Sequence, residues 1–219
     1  MARDVSNEIQ KAYIAYFGRP VDPDGLNYYA NLFSGIDINN DDFFNPIMSR
    51  VITDFSASQE YSELFTGMSN REMVEFVYRS FFGREYDDSP GADGTFYLDH
   101  LDAGTLGFGG FVWDVVRGAQ NADTVALANK IDAANAFTQE ISMQDQHSYV
   151  GSVAANSVRS WLLTVDASSK HSEQGLDQLL IDLDSITTVA DLEIYDATGG
   201  DYSFILNFSA GQQYAANIE

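Results

Sequence analysis

The chain contains no cysteine. A disulfide framework, thiol catalysis and cysteine-ligated zinc are therefore excluded. Positive charge is also scarce: 11 Lys and Arg stand against 33 Asp and Glu, a formal charge of -22, and only Lys11, Lys130 and Lys170 are lysines. A field of that sign repels nucleic acid and anionic lipid, and it attracts cations. No apolar run approaches the roughly 18 residues of a membrane helix. Met1 to Gln10 lacks the basic-then-apolar order of a signal peptide, so an exported chain would carry its address elsewhere. His100, His147 and His171 belong to no His-Glu-x-x-His metal helix, and neither a Gly-rich phosphate loop nor a Gly-x-Ser-x-Gly elbow is present.

The chain does have apolar residues, 45% of the total, too many for a disordered acidic tail. It also has a duplicated device. Tyr13, Tyr16-Phe17-Gly18-Arg19, Asp22, Asp24-Gly25, Tyr28 and Tyr29 form the first copy. Tyr78, Phe81-Phe82-Gly83-Arg84, Asp87-Asp88, Asp93-Gly94 and Tyr97 form the second, with a longer loop before its second glycine. Repetition of this kind is the mark of a repeat architecture. In both copies the pattern predicts a helix ended by glycine, an acidic turn and a second helix.

Helical periodicity extends through most of the chain. It predicts helices over 5–17, 25–33 and 43–55, then a cap within 56–61 followed by a short helix to about Phe65. Pro46 is acceptable there only in a first turn. Ser69 and Glu72 form a capping box that opens a helix ending at Gly83. Further helices are expected over 95–101, 106–116, 122–144, 149–165 and 172–186. Alternation at Leu192–Tyr195 and Tyr202–Leu206 around Gly199-Gly200 suggests a short hairpin or a linker. The expected architecture is mainly α, a multi-helix array: a first repeat unit over 1–68, a second over 69–120, a helical segment over 121–188, and a β-hairpin or linker over 189–219.

The corner residues resemble a domain-of-unknown-function family numbered forty-two fourteen. Its pattern runs from an aliphatic-Tyr helix through Gly-Arg, two residues, Asp, two residues and Gly to an aromatic pair, with a later Ser-x-Glu-aromatic helix start. The first copy matches at Tyr13, Gly18, Arg19, Asp22, Gly25, Tyr28, Tyr29, Ser58, Glu60 and Tyr61. The second matches at Tyr78, Gly83, Arg84, Asp87, Gly94 and Tyr97, without an obvious Ser-x-Glu-Tyr element. The match covers about residues 8–104. The resemblance implies a module of large secreted bacterial proteins exported by type I secretion. Such modules are similar to the anchoring regions that hold S-layer proteins to surface lipopolysaccharide. It implies no reaction.

Three groups of side chains are candidates for a site. Asp22, Asp24, Asp87, Asp88 and Asp93 are either helix caps or calcium ligands, though no EF-hand loop is present. Arg19 and Arg84 are expected to pair with the aspartate three positions on or with nearby carbonyls, or else to bind a ligand. Tyr28, Tyr29, Tyr86 and Tyr97 are either core aromatics or a stacking surface for sugar rings. The favoured function is non-catalytic: a secreted cell-surface module that holds polysaccharide or lipopolysaccharide, with calcium bridging acidic groups. The alternatives are a self-assembly module that packs against copies of itself, and a glycan-active enzyme.

Overall fold

The computed structural model describes residues 3–87, 89, 93–143, 149 and 151–198. Among these residues there are ten helices and no strand: α1 (Val5–Phe17), α2 (Pro23–Asn31), α3 (Asp41–Ser56), α4 (Gln59–Phe65), α5 (Asn70–Phe82), α6 (Asp93–Asp102), α7 (Phe108–Gly118), α8 (Ala122–Met143), α9 (Gly151–Leu163) and α10 (Glu173–Thr198).

Local chemistry accounts for most of the boundaries. Asp4 caps α1 by accepting from the Asn7 N–H at 3.0 Å, and Asp22 caps α2 by accepting from the Gly25 N–H at 2.7 Å. Ser58 caps α4, and Ser69 with Glu72 forms the expected capping box on α5. Each such cap satisfies an N–H that the first helical turn leaves without a partner. α3 differs from expectation. Asn40 accepts from the Asp42 N–H, so the helix begins at Asp41 and Pro46 falls inside it rather than in its first turn. α10 also runs further than 172–186. Residues 192–195, the first arm of the expected hairpin, are helical; its turn and second arm lie outside the described residues.

α1 is the central element. Every residue from Glu8 to Phe17 except Lys11 is buried, and α1 packs against α5, α8 and the three helices that follow it. Ile9, Ile14 and Tyr16 are wholly buried, and burying a large apolar side chain contributes about 1.5–3 kcal/mol. The main core draws on α1, α3, α5, α7 and α8 and extends to Leu162 and Val165. The residues expected to form separate units thus share one interior. A second cluster joins Phe137, Ile141, Val158 and Leu183 of α8, α9 and α10, and Trp161 packs against both clusters.

The duplication is visible in the backbone. Gly18 ends α1 at φ 66°, ψ 15°, with its N–H donating to the Ile14 carbonyl. Gly83 ends α5 at φ 66°, ψ 20°, donating to the Arg79 carbonyl. This left-handed conformation is strained for any residue with a Cβ. Space is also short. A Cβ on Gly18 would lie 3.1 Å from Phe76 and 3.2 Å from Arg159, and one on Gly83 would lie 2.8 Å from the Asp166 Cβ. α9 and the turn after it therefore press on both corners.

Gly83→Ala should lower unfolding stability by about 2 kcal/mol or more, because steric overlap adds to backbone strain. Gly35→Ala has a comparable φ of 78° but nothing within 4 Å, and should cost only about 1 kcal/mol. Urea unfolding of the two variants measures the difference.

Candidate functional site

The first corner closes on itself through Arg19. Its guanidinium grips the Glu60 carboxylate with two parallel bonds, Nε to Oε1 at 2.8 Å and Nη2 to Oε2 at 2.7 Å. Nη1 donates to the Pro20 carbonyl at 3.1 Å and to the Tyr149 hydroxyl at 2.9 Å. Tyr149 in turn donates to the Pro20 carbonyl at 3.1 Å. Arg159 of α9 adds a second cation: its Nη2 reaches Glu60 Oε1 at 2.8 Å and its Nε reaches the Phe17 carbonyl at 2.6 Å. Tyr13 and Phe17 lie beneath Arg19 at 5.3 and 5.6 Å. Burial alone would raise the Glu60 carboxyl, but the bonds from Arg19 and the charge of Arg159 outweigh it and hold the group below its ordinary range. Burial pushes the Tyr149 phenol up to about 12.

The second corner repeats the arrangement atom for atom at its heart. Arg84 Nε and Nη2 grip Asp123 at 2.8 and 2.6 Å, and Nη1 donates to the Glu85 carbonyl at 3.0 Å. Tyr78 and Phe82 lie beneath it at 5.1 and 5.6 Å. Glu60 and Asp123 are each the second residue of a helix, α4 and α8, where the helix dipole favours a negative charge.

The expected pairing of each arginine with the aspartate three positions on is therefore corrected. Asp22 accepts from the Gly25 N–H, and Asp87 accepts from the Ser89 N–H at 2.8 Å. A short side chain in a tight turn meets the nearby unpaired backbone donors first, which leaves the longer guanidinium to reach a carboxylate on another helix. The partners were missed because they lie about forty positions downstream. The legible signal was an acid in the first turn of the third helix after each corner. After the second corner, and just beyond the expected end of the second unit, Asn121-Ala122-Asp123 takes the place of Ser58-Gln59-Glu60.

The proposed glycan residues have divergent surroundings. Arg19 and Tyr86 are buried, and the Tyr86 hydroxyl accepts from Arg71. Tyr29 is half-buried, edge-on to Phe55 at 5.0 Å, and Tyr97 packs on Phe111 at 5.2 Å. Only Tyr28 and Arg84 of the six are exposed. Of the proposed metal ligands, Asp22 and Asp24 start α2 and Asp87 is exposed; Asp88 and the Asp93 side chain lie outside the described residues. Among the described residues no three acids or histidines converge to hold a metal ion.

Two features had no sequence signal. Lys130 is fully buried in α8, where its ammonium donates to the Leu162 carbonyl at 2.7 Å. Its neighbour Asn129 donates to the Asp166 carbonyl at 2.8 Å. Together they tie down the end of α9 and the turn after it. Burial lowers the Lys130 amine to about 8, against the opposing charge of Asp166.

The other feature is an open cleft of about 570 Å³ between α1, α2 and α8. Asp4, Ser6 and Asn7 line one side, Pro23, Leu26 and Asn27 a second, and Asn135, Thr138, Gln139 and Ser142 the third. Asn135 donates to Asn7 across the cleft at 2.8 Å. Beneath, Thr138 donates to the Val21 carbonyl at 2.6 Å and accepts from the fully buried Gln10 amide at 2.9 Å, while Gln10 accepts from the Val21 N–H at 3.1 Å. This buried network fixes the three elements relative to one another. Among the described residues Asp4 is the one charged lining group, and its carboxylate caps α1.

Glu60→Gln should destabilise the protein by about 3 kcal/mol, since it leaves the buried Arg19 and the half-buried Arg159 without their counter-charge. Because the folded-state Glu60 titrates below its ordinary value, its stabilisation is present above pH about 4.5 and is lost as pH falls through the folded value. The acid limb of a stability–pH curve should accordingly flatten in the variant. Lys130 also has a depressed folded-state value, so the unfolded chain binds more protons between about 8 and 10.5. Stability relative to Lys130→Met should rise across that window and fall as pH drops to its lower edge. Paired denaturant titrations check it.

No protein-family model matches the chain, and no characterised protein or solved structure matches it.

Proposed function

We propose that the chain is a non-catalytic binding module of a secreted bacterial surface protein, and that it holds cell-surface polysaccharide or lipopolysaccharide. The resemblance of the two Gly-Arg corners supplies the setting. The observation that carries the binding role is the cleft between α1, α2 and α8, whose described lining is dominated by amides and hydroxyls with Asp4 as its single charge. Amides donate and accept at neighbouring atoms and suit polyhydroxyl ligands. The usual glycoside-hydrolysing site instead uses two facing carboxylates with distinct proton affinities, and among the described residues the cleft lining has one carboxylate.

Calcium enters this reading as a counter-ion. With a formal charge of -22, the protein is repelled by an anionic cell surface at distances up to about 10 Å at moderate salt. Divalent cations between the two reduce that repulsion.

The protein should be retained on outer-membrane fragments in the presence of calcium and released in part by a chelator at low ionic strength. Sedimentation with the fragments measures both. Absence of retention in calcium would count against anchoring. Self-association in calcium without added glycan, seen by light scattering, would favour the assembly role instead.

A further inference from the structure

The structure assigns, within the glycan-binding reading on which this inference rests, a specific seat and ligand class: the cleft between α1, α2 and α8 takes a neutral pyranose, gripped by the amides of Asn27 and Gln139, without a metal ion. The cleft volume of about 570 Å³ lies within the roughly 300–1,000 Å³ of small-ligand sites.

Beside Ser6 and Ser142, its polar groups fall into two sets. Asn7, Asn135, Thr138 and Asp4 bond to one another or to backbone and form a fixed frame. Asn27 on α2 and Gln139 on α8 are exposed lining residues, and no hydrogen bond joins either side-chain amide to another described residue. These two amides face a common space from different helices, each with a donor and an acceptor to offer. A pair of neighbouring ring hydroxyls needs that combination. The half-buried Leu26 supplies apolar surface beside them, suited to the C–H face of a sugar ring, while the buried Gln10–Thr138–Val21 network keeps the walls in place.

Charge sets the selectivity. Among the described residues the lining has no cation to meet a carboxylate or phosphate, and its single charge, Asp4, is negative. A uronic acid or phosphorylated sugar would lose hydration on entry without gaining a counter-charge. The neutral ligand needs no bridging ion, so the local contact is indifferent to calcium even where attachment to a whole anionic surface is not.

The test is binding of the full chain to immobilised neutral polysaccharides (dextran, mannan and galactan) and to polygalacturonate, each with calcium and with chelator, alongside Asn27→Ala/Gln139→Ala. Both positions are exposed, and circular dichroism with urea unfolding verifies the variant's fold. The expected result is retention on at least one neutral polymer, unchanged by chelator, weaker on polygalacturonate, and reduced about tenfold or more in the double variant. Chelator-sensitive retention, preference for polygalacturonate, or neutral binding that survives the double substitution would overturn this seat while leaving a glycan module intact. Retention on none of the polymers, together with none on outer-membrane fragments, would overturn both readings. Retention on fragments alone would overturn the neutral-pyranose seat only.

Discussion

The bidentate bond between Arg19 and Glu60 is the interaction on which the rest of the fold depends. It joins the end of α1, the most deeply buried helix, to the start of α4, and it forms in a place from which water is largely excluded. Two charges in such a place cost hydration, and they are tolerated because every direction of the guanidinium finds an oxygen and the carboxylate finds a second arginine. Glycine precedes each corner arginine for two reasons. The chain must turn through a left-handed conformation, and another element must come within contact distance of the turn.

The same solution at Arg84 and Asp123 is more exposed, with Arg84 side-chain accessibility at 42% against 6% for Arg19. Pairs near the surface contribute less than buried ones. The two corners are therefore geometric equivalents with unequal energetic weight. The first is sealed by Tyr149 and Arg159 from later in the chain, and it anchors α9 to both the α1 terminus and α4. Lys130 and Asn129 hold the C-terminal end of α9 and the turn after it, so with Arg159 the second half of this helix is tied down by side chains that reach carbonyl groups.

Much of this was legible in the residues. The Gly-Arg duplication, the Ser69–Glu72 cap and the helical stripe of α1 depend on local rules, and those rules were sufficient. Legibility failed where a partner is distant in sequence. The Ser58-Gln59-Glu60 helix start marks Glu60 but does not say which cation it meets, and nothing near Lys130 announces that the end of α9 will need its ammonium. The start of α3 moved because Asn40 is a better cap than a count of apolar positions reveals. The cleft was illegible for a similar reason. Asn7, Asn27, Asn135 and Gln139 are ordinary polar residues on three helix surfaces, and only packing brings them together, whereas the tyrosines that drew notice in the sequence are largely taken up by the interior.

Arg159 and Phe17 are far apart along the chain, yet they meet at the first corner, and this governs the order in which the molecule can be completed. A polypeptide that is delivered to its destination from one end presents α1 and α4 well before α9 arrives. Until then Glu60 has one of its two cations and the end of α1 lacks its clasp. The first corner is thus complete only when residues from the final third of the chain are in place.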